Sequence, residues 1–146
     1  MRVKIKFPDQ SPLASFQIPV RVGDINYGGH VGNDALLSII HEARMQFLSS
    51  RGFTELEVGG HGLIMADVMI AYKGESFYGE ALKVELFVDE YSNRTFDLLY
   101  RITTVRSCIE AVIAEAKTGM VCFDYNQKKI AEMSSELKTL LRLAKD

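Results

Sequence analysis

The strongest periodic pattern in the chain lies between residues 33 and 52, where apolar positions recur with the 3.6-residue spacing of an α-helix. Asn33 or Asp34 stands where an N-cap belongs, and Gly52 follows the last turn as a stop signal. Ile39 and Met45 widen the apolar stripe, so we expect this helix to be mostly enclosed. The stripe consists of Leu36, Leu37, Ile40, Ala43, Phe47 and Leu48.

Strand-like patterns occupy most of the remaining sequence. Val3, Ile5 and Phe7 alternate with charged residues, which predicts a half-buried strand at the start of the chain. Residues 16–22 also read as extended, and Pro19 places them at a sheet edge or a bulge. Four long β-rich segments then follow with short turns between them, and we expect them to pair antiparallel as a meander. They are residues 63–72, 81–91, 95–105 and 108–123.

The order of these elements predicts the architecture. A short terminal helix with Leu137, Leu140, Leu141 and Ala144 follows Ser134 and closes the chain. A lone apolar helix must bury itself against one face of a sheet, so we expect an α+β fold. In that fold a curved antiparallel sheet wraps around one central helix, and residues 1–146 form a single domain. The apolar surface left over favours a homodimer or a dimer of dimers.

Composition narrows the class of protein. Seventeen basic and nineteen acidic residues give a formal net charge of −2, so the sequence lacks the excess of basic residues that is typical of nucleic-acid-binding proteins. No apolar run is long enough for a membrane helix or a signal peptide, so we expect a cytoplasmic protein. Cys108 and Cys122 stand in a strand-like stretch without metal-ligand spacing, and we expect two reduced, buried thiols.

Polar chemistry is concentrated in residues 21–33, immediately before the apolar helix. Asp24, Asn26, His30 and Asn33 place an acid, an imidazole and two carboxamides within ten residues. The first amides of a helix have no internal partners and carry partial positive charge, so they can polarise a carbonyl and stabilise an oxyanion. Glycines in the same segment let a ligand approach the backbone. This combination is what acyl-transfer chemistry requires.

Other chemistries fit this segment less well. Its glycines match neither the dinucleotide-binding nor the phosphate-loop pattern, and the segment contains no lysine. His41 and Glu42 are adjacent and cannot share a helix face, so we predict no metal site. A serine nucleophile elbow is also missing. We therefore expect chemistry without a metal or an organic cofactor.

The order and spacing of these residues resemble the hotdog-fold thioesterases, in particular 4-hydroxybenzoyl-CoA thioesterase and related acyl-CoA thioester hydrolases. The family signature corresponds here to Asp24, Asn26 and His30-Val31, then Asn33, and it continues with Glu42-Ala43-Arg44 in the helix. The resemblance extends over residues 18–142 and implies hydrolysis of an acyl-CoA or acyl-carrier thioester. It also implies an active site at a dimer interface.

The resemblance implies site residues as well. The backbone amide of Asn33 would donate to the thioester carbonyl, and Asp24, Asn26 and His30 would position and activate water. We expect the substrate to contact the loop and one strand. These contact residues are Tyr27, Gly28, Gly29, Val31, Gly32 and Met65.

The chain departs from the family at Asn26, because the related enzymes carry their catalytic carboxylate at that position. A carboxamide can orient water but cannot accept its proton. Three explanations stay open. Asp24 acts as the base, His30 acts as the base while Asn26 holds the water, or the site binds acyl thioesters without hydrolysing them.

Each site residue also has a purely structural interpretation. Asp24 can cap a turn, Asn33 can be a plain N-cap, and His30 can be a structural hydrogen-bonding residue. His41 fits a surface position, and Glu42 fits a structural ion pair better than a catalytic role. The rival functions are a non-catalytic acyl-thioester binder, a partner-binding oligomer and a hotdog dehydratase.

Overall fold

The β-rich segments form one antiparallel sheet in the computed structural model, which describes residues 2–143 of the chain. The strand order is β1-β3-β4-β5-β2, with the short β6 beside β5. The strands are β1 (Ala14–Pro19), β2 (Gly62–Tyr72), β3 (Ala81–Asp89), β4 (Thr95–Arg106), β5 (Ile109–Asp124) and β6 (Lys129–Ile130).

The predicted long strands are confirmed to within two residues at each end, but the meander is only partly right. β3, β4 and β5 follow one another as antiparallel neighbours, whereas β2 pairs with β5 rather than with β3. The eight residues 73–80 therefore cross three strand spacings, about 14 Å, to reach β3. Turn signals predict where strands end but not which strands become neighbours, and so the crossing was not predicted.

The long helix α1 (Asn33–Ser49) packs on the inner face of the sheet, as the apolar stripe predicts. Ile40 and Ala43 are fully buried against inward-facing strand residues such as Tyr100 and Met120. The helix is less enclosed than expected, because Leu37 and Met45 remain 38% and 40% exposed. The α+β hotdog architecture, a sheet wrapped around one central helix, is confirmed.

The predicted strand at residues 3–7 is wrong. The edge of β3 is already occupied by β1, where Ala14 lies opposite Leu86, so the first residues do not pair with β3. They instead run without regular structure across the outer face of the sheet. There the ring of Phe7 packs edge-on against Phe87 at 5.1 Å, and the guanidinium of Arg101 lies 4.6 Å from the Phe7 ring.

The remaining elements refine smaller expectations. Helix α2 (Ser135–Leu140) begins at Ser134, whose side chain accepts the amide of Leu137, while Ala144 lies outside the described residues. Cys122 is buried as expected. Cys108 is exposed, because it lies in the β4–β5 turn rather than in a strand. No helix of residues 2–143 has the length and apolarity needed to span a bilayer.

Candidate functional site

The glycine-rich segment before α1 folds into a small hairpin. Ile25 and Val31 form an antiparallel bridge, and Asn26 donates its amide to the carbonyl of His30 at 2.9 Å. Gly29 closes the turn with φ of 85°, a conformation that side chains other than glycine's rarely adopt. The tip of the hairpin is exposed, so its polar groups are accessible to a ligand.

The hairpin brings Asn26 and His30 together over Gly28. The Oδ1 of Asn26 accepts the amide of Gly28 at 2.9 Å, which leaves the Nδ2 hydrogens of the carboxamide free to donate. A Cβ on Gly28 would lie 3.2 Å from that Oδ1 and 3.4 Å from Nε2 of His30. Gly28 therefore leaves the space in which the carboxamide and the imidazole approach each other. The Nδ1 of His30 lies 3.4 Å from the carbonyl of Val31, and Nε2 is the ring nitrogen on the side of Gly28.

The start of α1 lies directly behind this pair, and the predicted N-cap is wrong by one residue. Gly32 is the N-cap, with extended backbone angles and no side-chain cap, and Asn33 is the first helical residue. Within residues 2–143 the amides of Asn33 and Asp34 have no acceptor, whereas those of Ala35 and Leu36 donate to Gly32. A Cβ on Gly32 would stand 2.7 Å from Oδ1 of Asp34, so a larger residue there would push that exposed side chain aside. Two free, positively polarised donors thus face the hairpin side of the helix.

A second loop holds the hairpin from below. The backbone amide of Val31 donates to the backbone carbonyl of Ser76 at 2.8 Å, and His30 forms an antiparallel β-bridge with Phe77. Ser76 is buried, and its hydroxyl has no partner among the described residues. These contacts come from residues 73–80, the crossing between β2 and β3, so the same topology that was not predicted also positions the site.

Tyr72 belongs to the site, although the sequence did not predict a role for it there. Its hydroxyl, at the end of β2, donates to the carbonyl of Asn33 at 3.0 Å and fixes the helix start against the sheet edge. Since the contact joins residues 39 positions apart, no local sequence signal could have revealed it.

Asp24 lies in a different setting from the Asn26–His30 pair. It ends a short 3₁₀ turn (Val22–Asp24), and its Oδ2 accepts the amide of Arg21 at 2.8 Å, so it does cap a turn. Its side chain lines a cavity of about 290 Å³ between β1 and α1. Ser38 and Glu42 line the same cavity, on the helix face turned toward β1.

Two predicted substrate contacts do not lie against the start of α1 within one chain. Tyr27 projects fully into solvent at the hairpin tip. Met65 lies on β2 seven residues from Tyr72, roughly 20 Å along the strand. A ligand at the start of α1 could reach Met65 only if a second chain supplied that strand.

A buried polar chain crosses the core below α1. Arg44, 4% exposed, donates to Glu55 at 3.0 Å and to the Tyr100 hydroxyl at 3.2 Å. That hydroxyl shares a 2.7 Å hydrogen bond with Thr118, and burial raises the pKa of Tyr100, which keeps it neutral. Glu55 also lies 3.1 Å from Nε2 of His41, whose side chain is 54% exposed, so the expected surface position of His41 is confirmed and it has a partner there. This row of hydrogen-bonded side chains connects α1 to the sheet and fixes the orientation of the helix.

The residues 2–143 contain no cluster of three His, Cys, Asp or Glu side chains suited to a metal ion. The donors at the start of α1 are instead backbone amides, a carboxamide and an imidazole. This set recognises a carbonyl and a water molecule rather than a cation.

Comparison with solved structures gives the same fold. A 1,4-dihydroxy-2-naphthoyl-CoA thioesterase from Synechocystis matches with a TM-score of 0.77 and 24% identity, over 88% of this chain and 94% of that one. An Asp-to-Asn variant of 4-hydroxybenzoyl-CoA thioesterase, complexed with 4-hydroxybenzoyl-CoA, matches with a TM-score of 0.78 and 15% identity, over 88% and 97%. The dynemicin thioesterase, described with bound polyene, matches with a TM-score of 0.79 and 17% identity, over 88% and 94%.

Comparison with curated proteins found no match. The model of the thioesterase-like superfamily matches residues 20–141, which include the hairpin, α1 and all the strands from β2 onward. The chain therefore belongs to the thioesterase-like superfamily.

Proposed function

We propose that this protein hydrolyses an acyl-CoA or acyl-carrier thioester whose carbonyl oxygen binds at the start of α1. The observation that carries the proposal is the pair of free amides on Asn33 and Asp34, placed beside the Asn26–His30 pair. An oxyanion-hole donor of this kind contributes about 10²–10³ in kcat in enzymes where it has been removed. The family and the CoA thioesterases of the same fold support the substrate class.

His30 is the base that the geometry favours over Asp24. Asp24 already accepts a backbone amide and opens onto the cavity on the β1 side of the helix. His30 instead presents Nε2 next to the carboxamide of Asn26. Asn26 would hold the water while Nε2 takes its proton, and the hydroxide oxygen would bond to the thioester carbon. The carbon–sulfur bond then breaks, and the departing thiolate takes the proton back from His30.

A second copy of the chain would complete this site. β2 is eleven residues long and lies at the end of the sheet, with one edge unpaired among the described residues. The exposed apolar side chains Leu37, Met45, Met65 and Val68 lie on α1 and on the same β2, each 38–40% exposed. An unpaired edge beside an apolar surface favours strand pairing with an identical chain. Two antiparallel β2 strands would carry a second chain's Met65 toward the Tyr72 end of this one.

A non-catalytic binder is the second candidate function, and Asn26 is the observation that favours it. The Asp-to-Asn variant of 4-hydroxybenzoyl-CoA thioesterase is described with its CoA ester bound. A carboxamide at the corresponding position of the family signature is therefore compatible with a bound ester.

Thiol release from short, medium, long and aromatic acyl-CoAs separates the two functions. The hydrolase predicts saturable turnover of one acyl class, with kcat/KM approaching about 10⁴ M⁻¹s⁻¹. His30→Gln should lower kcat by about 10²-fold or more. Asn26→Asp should leave the His30-dependent reaction in place or increase it. If no acyl-CoA is cleaved while acyl-CoA still raises the melting temperature, and Asn26→Asp restores turnover, the protein is a binder.

A further inference from the structure

A second cavity, of about 420 Å³, lies at the opposite end of α1 from the hairpin, between the helix end and α2. The 17 residues of α1 separate the two places by about 25 Å. This cavity shares no lining residue with the Asp24 cavity or with the hairpin. Its volume lies within the usual range of small-molecule sites.

Two arginines without partners line this cavity. The side chains of Arg51 and Arg142 make no ion pair or hydrogen bond within residues 2–143, as is also the case for the exposed Arg94, whereas Arg44, Arg101 and Arg106 pair with carboxylates. Arg51 and Arg142 differ from Arg94 in that they line one cavity, where both can attract the same anion. In a chain with a net charge of −2, such a pair is a local positive feature against an acidic background.

The cavity also holds one carboxylate. Glu136 accepts the hydroxyl of Ser135, another lining residue, at 2.8 Å through Oε1, and its Oε2 lies toward Gly59. With two arginines against one carboxylate, the lining has a formal charge of +1. Guanidinium groups bind phosphate oxygens in a bidentate manner, so a phosphate group is the anion that this arrangement suits best.

The rest of the lining is suited to a planar, less polar group. The ring of Phe53 and the side chain of Leu140 supply apolar surface, and the Thr139 hydroxyl offers one further hydrogen-bonding group. An aromatic ring beside two phosphate-binding cations matches the two halves of a nucleotide, because nucleobases stack on aromatic side chains. We propose that this cavity binds a phosphorylated nucleoside, with its phosphates on Arg51 and Arg142 and its base against Phe53.

Calorimetric titration with adenosine 3′,5′-bisphosphate tests the binding, and this test does not depend on the proposed hydrolase activity. Arg51→Gln and Arg142→Gln should each weaken binding about tenfold or more, since each removes a charge-assisted contact. Arg94→Gln is the matched control, because Arg94 is exposed and lies outside this cavity. Phe53→Leu should weaken binding of the nucleotide more than binding of inorganic phosphate. Absence of binding at millimolar concentration, or equal weakening by Arg94→Gln, overturns the proposal.

Two sources could supply this nucleotide, and kinetics distinguishes them. If it belongs to a CoA substrate reaching across from a second chain, Arg51→Gln raises KM for acyl-CoA but not for the matching acyl-pantetheine. If the nucleotide is a separate effector, adding the bisphosphate changes the rate at which acyl-pantetheine is hydrolysed, although that substrate has no nucleotide. The kinetic comparison rests on the proposed function, whereas the titration stands without it.

Discussion

Removing the hydroxyl of Tyr100 should destabilise the fold far more than removal of any exposed tyrosine hydroxyl. Tyr100 is fully buried, and its hydroxyl is part of the row of side-chain hydrogen bonds that connects Glu55, Arg44, Tyr100 and Thr118. The substitution Tyr100→Phe keeps the ring and its packing and deletes only the oxygen. Arg44 then loses one acceptor, and Thr118 loses its partner.

The expected cost follows from these two contacts. A hydrogen bond from a charged group contributes about 1.5–3 kcal/mol, a neutral bond contributes about 1 kcal/mol, and stranding the buried partners adds to both. The sum is about 3–5 kcal/mol for Tyr100→Phe. Thr118→Val should cost less, about 1–3 kcal/mol, because it strands only the Tyr100 hydroxyl, which still accepts from Arg44.

Urea unfolding followed by circular dichroism measures these differences, at one fixed protein concentration so that any association between copies affects all variants alike. Tyr91→Phe is the control, since Tyr91 is 53% exposed and should lose less than about 0.5 kcal/mol. The reasoning is refuted if Tyr100→Phe unfolds at the same urea concentration as Tyr91→Phe. That result would mean that the buried polar chain does not hold α1 to the sheet.

Three further predictions concern other parts of the molecule. Tyr72→Phe should lower kcat of thiol release and leave the melting temperature nearly unchanged. A lower melting temperature with an unchanged kcat would contradict a positioning role. Arg106 lowers the pKa of Glu80 below its ordinary 4.5 through a hydrogen bond, so the pair stabilises the fold above pH 4.5 and loses this as pH falls through the lowered value. The stability deficit of Glu80→Gln should therefore be largest near neutral pH and shrink in acid, and a deficit that grows in acid would reverse the sign. With a thiol reagent at about pH 8, Cys108 should react quickly and Cys122 slowly, because burial raises the pKa of Cys122 to about 11.

The spacing of apolar residues and the position of turn residues predicted the elements well, because the choice between helix, strand and turn depends mainly on neighbouring residues. The 3.6-residue stripe placed α1 correctly, and turn residues placed the ends of β3 and β4 within two residues. The alternation of Val3, Ile5 and Phe7 failed for a non-local reason. It shows that one side of the segment is apolar, but not whether a strand edge is available or whether the segment covers a sheet face instead.

The candidate site was predicted in its residue types and only partly in its arrangement. The hairpin, the free helix amides and the closeness of Asn26 to His30 follow from residues within ten positions of each other. The contacts of Tyr72 and Ser76 depend on where the sheet brings the end of β2 and the following crossing, and no local pattern contains that information. The N-cap is Gly32 rather than Asn33, because the extended backbone angles of a cap fall on Gly32 and no side chain caps the helix.

The most direct test of the account is to remove one of the two free backbone donors at the start of α1 and to correct for the lost side chain with a control variant. Asn33→Pro deletes that N–H at the one helical position where proline is favoured, and Gly32 already has the extended angles that a residue before proline adopts. Asn33→Ala is the control, because it removes the side chain and keeps the N–H. The account predicts that the proline variant, with an unchanged circular dichroism spectrum, loses about 10²-fold or more in kcat of thiol release, and that the alanine variant stays within a few-fold of the original. Equal rates for the two variants would contradict the claim that this amide polarises the thioester.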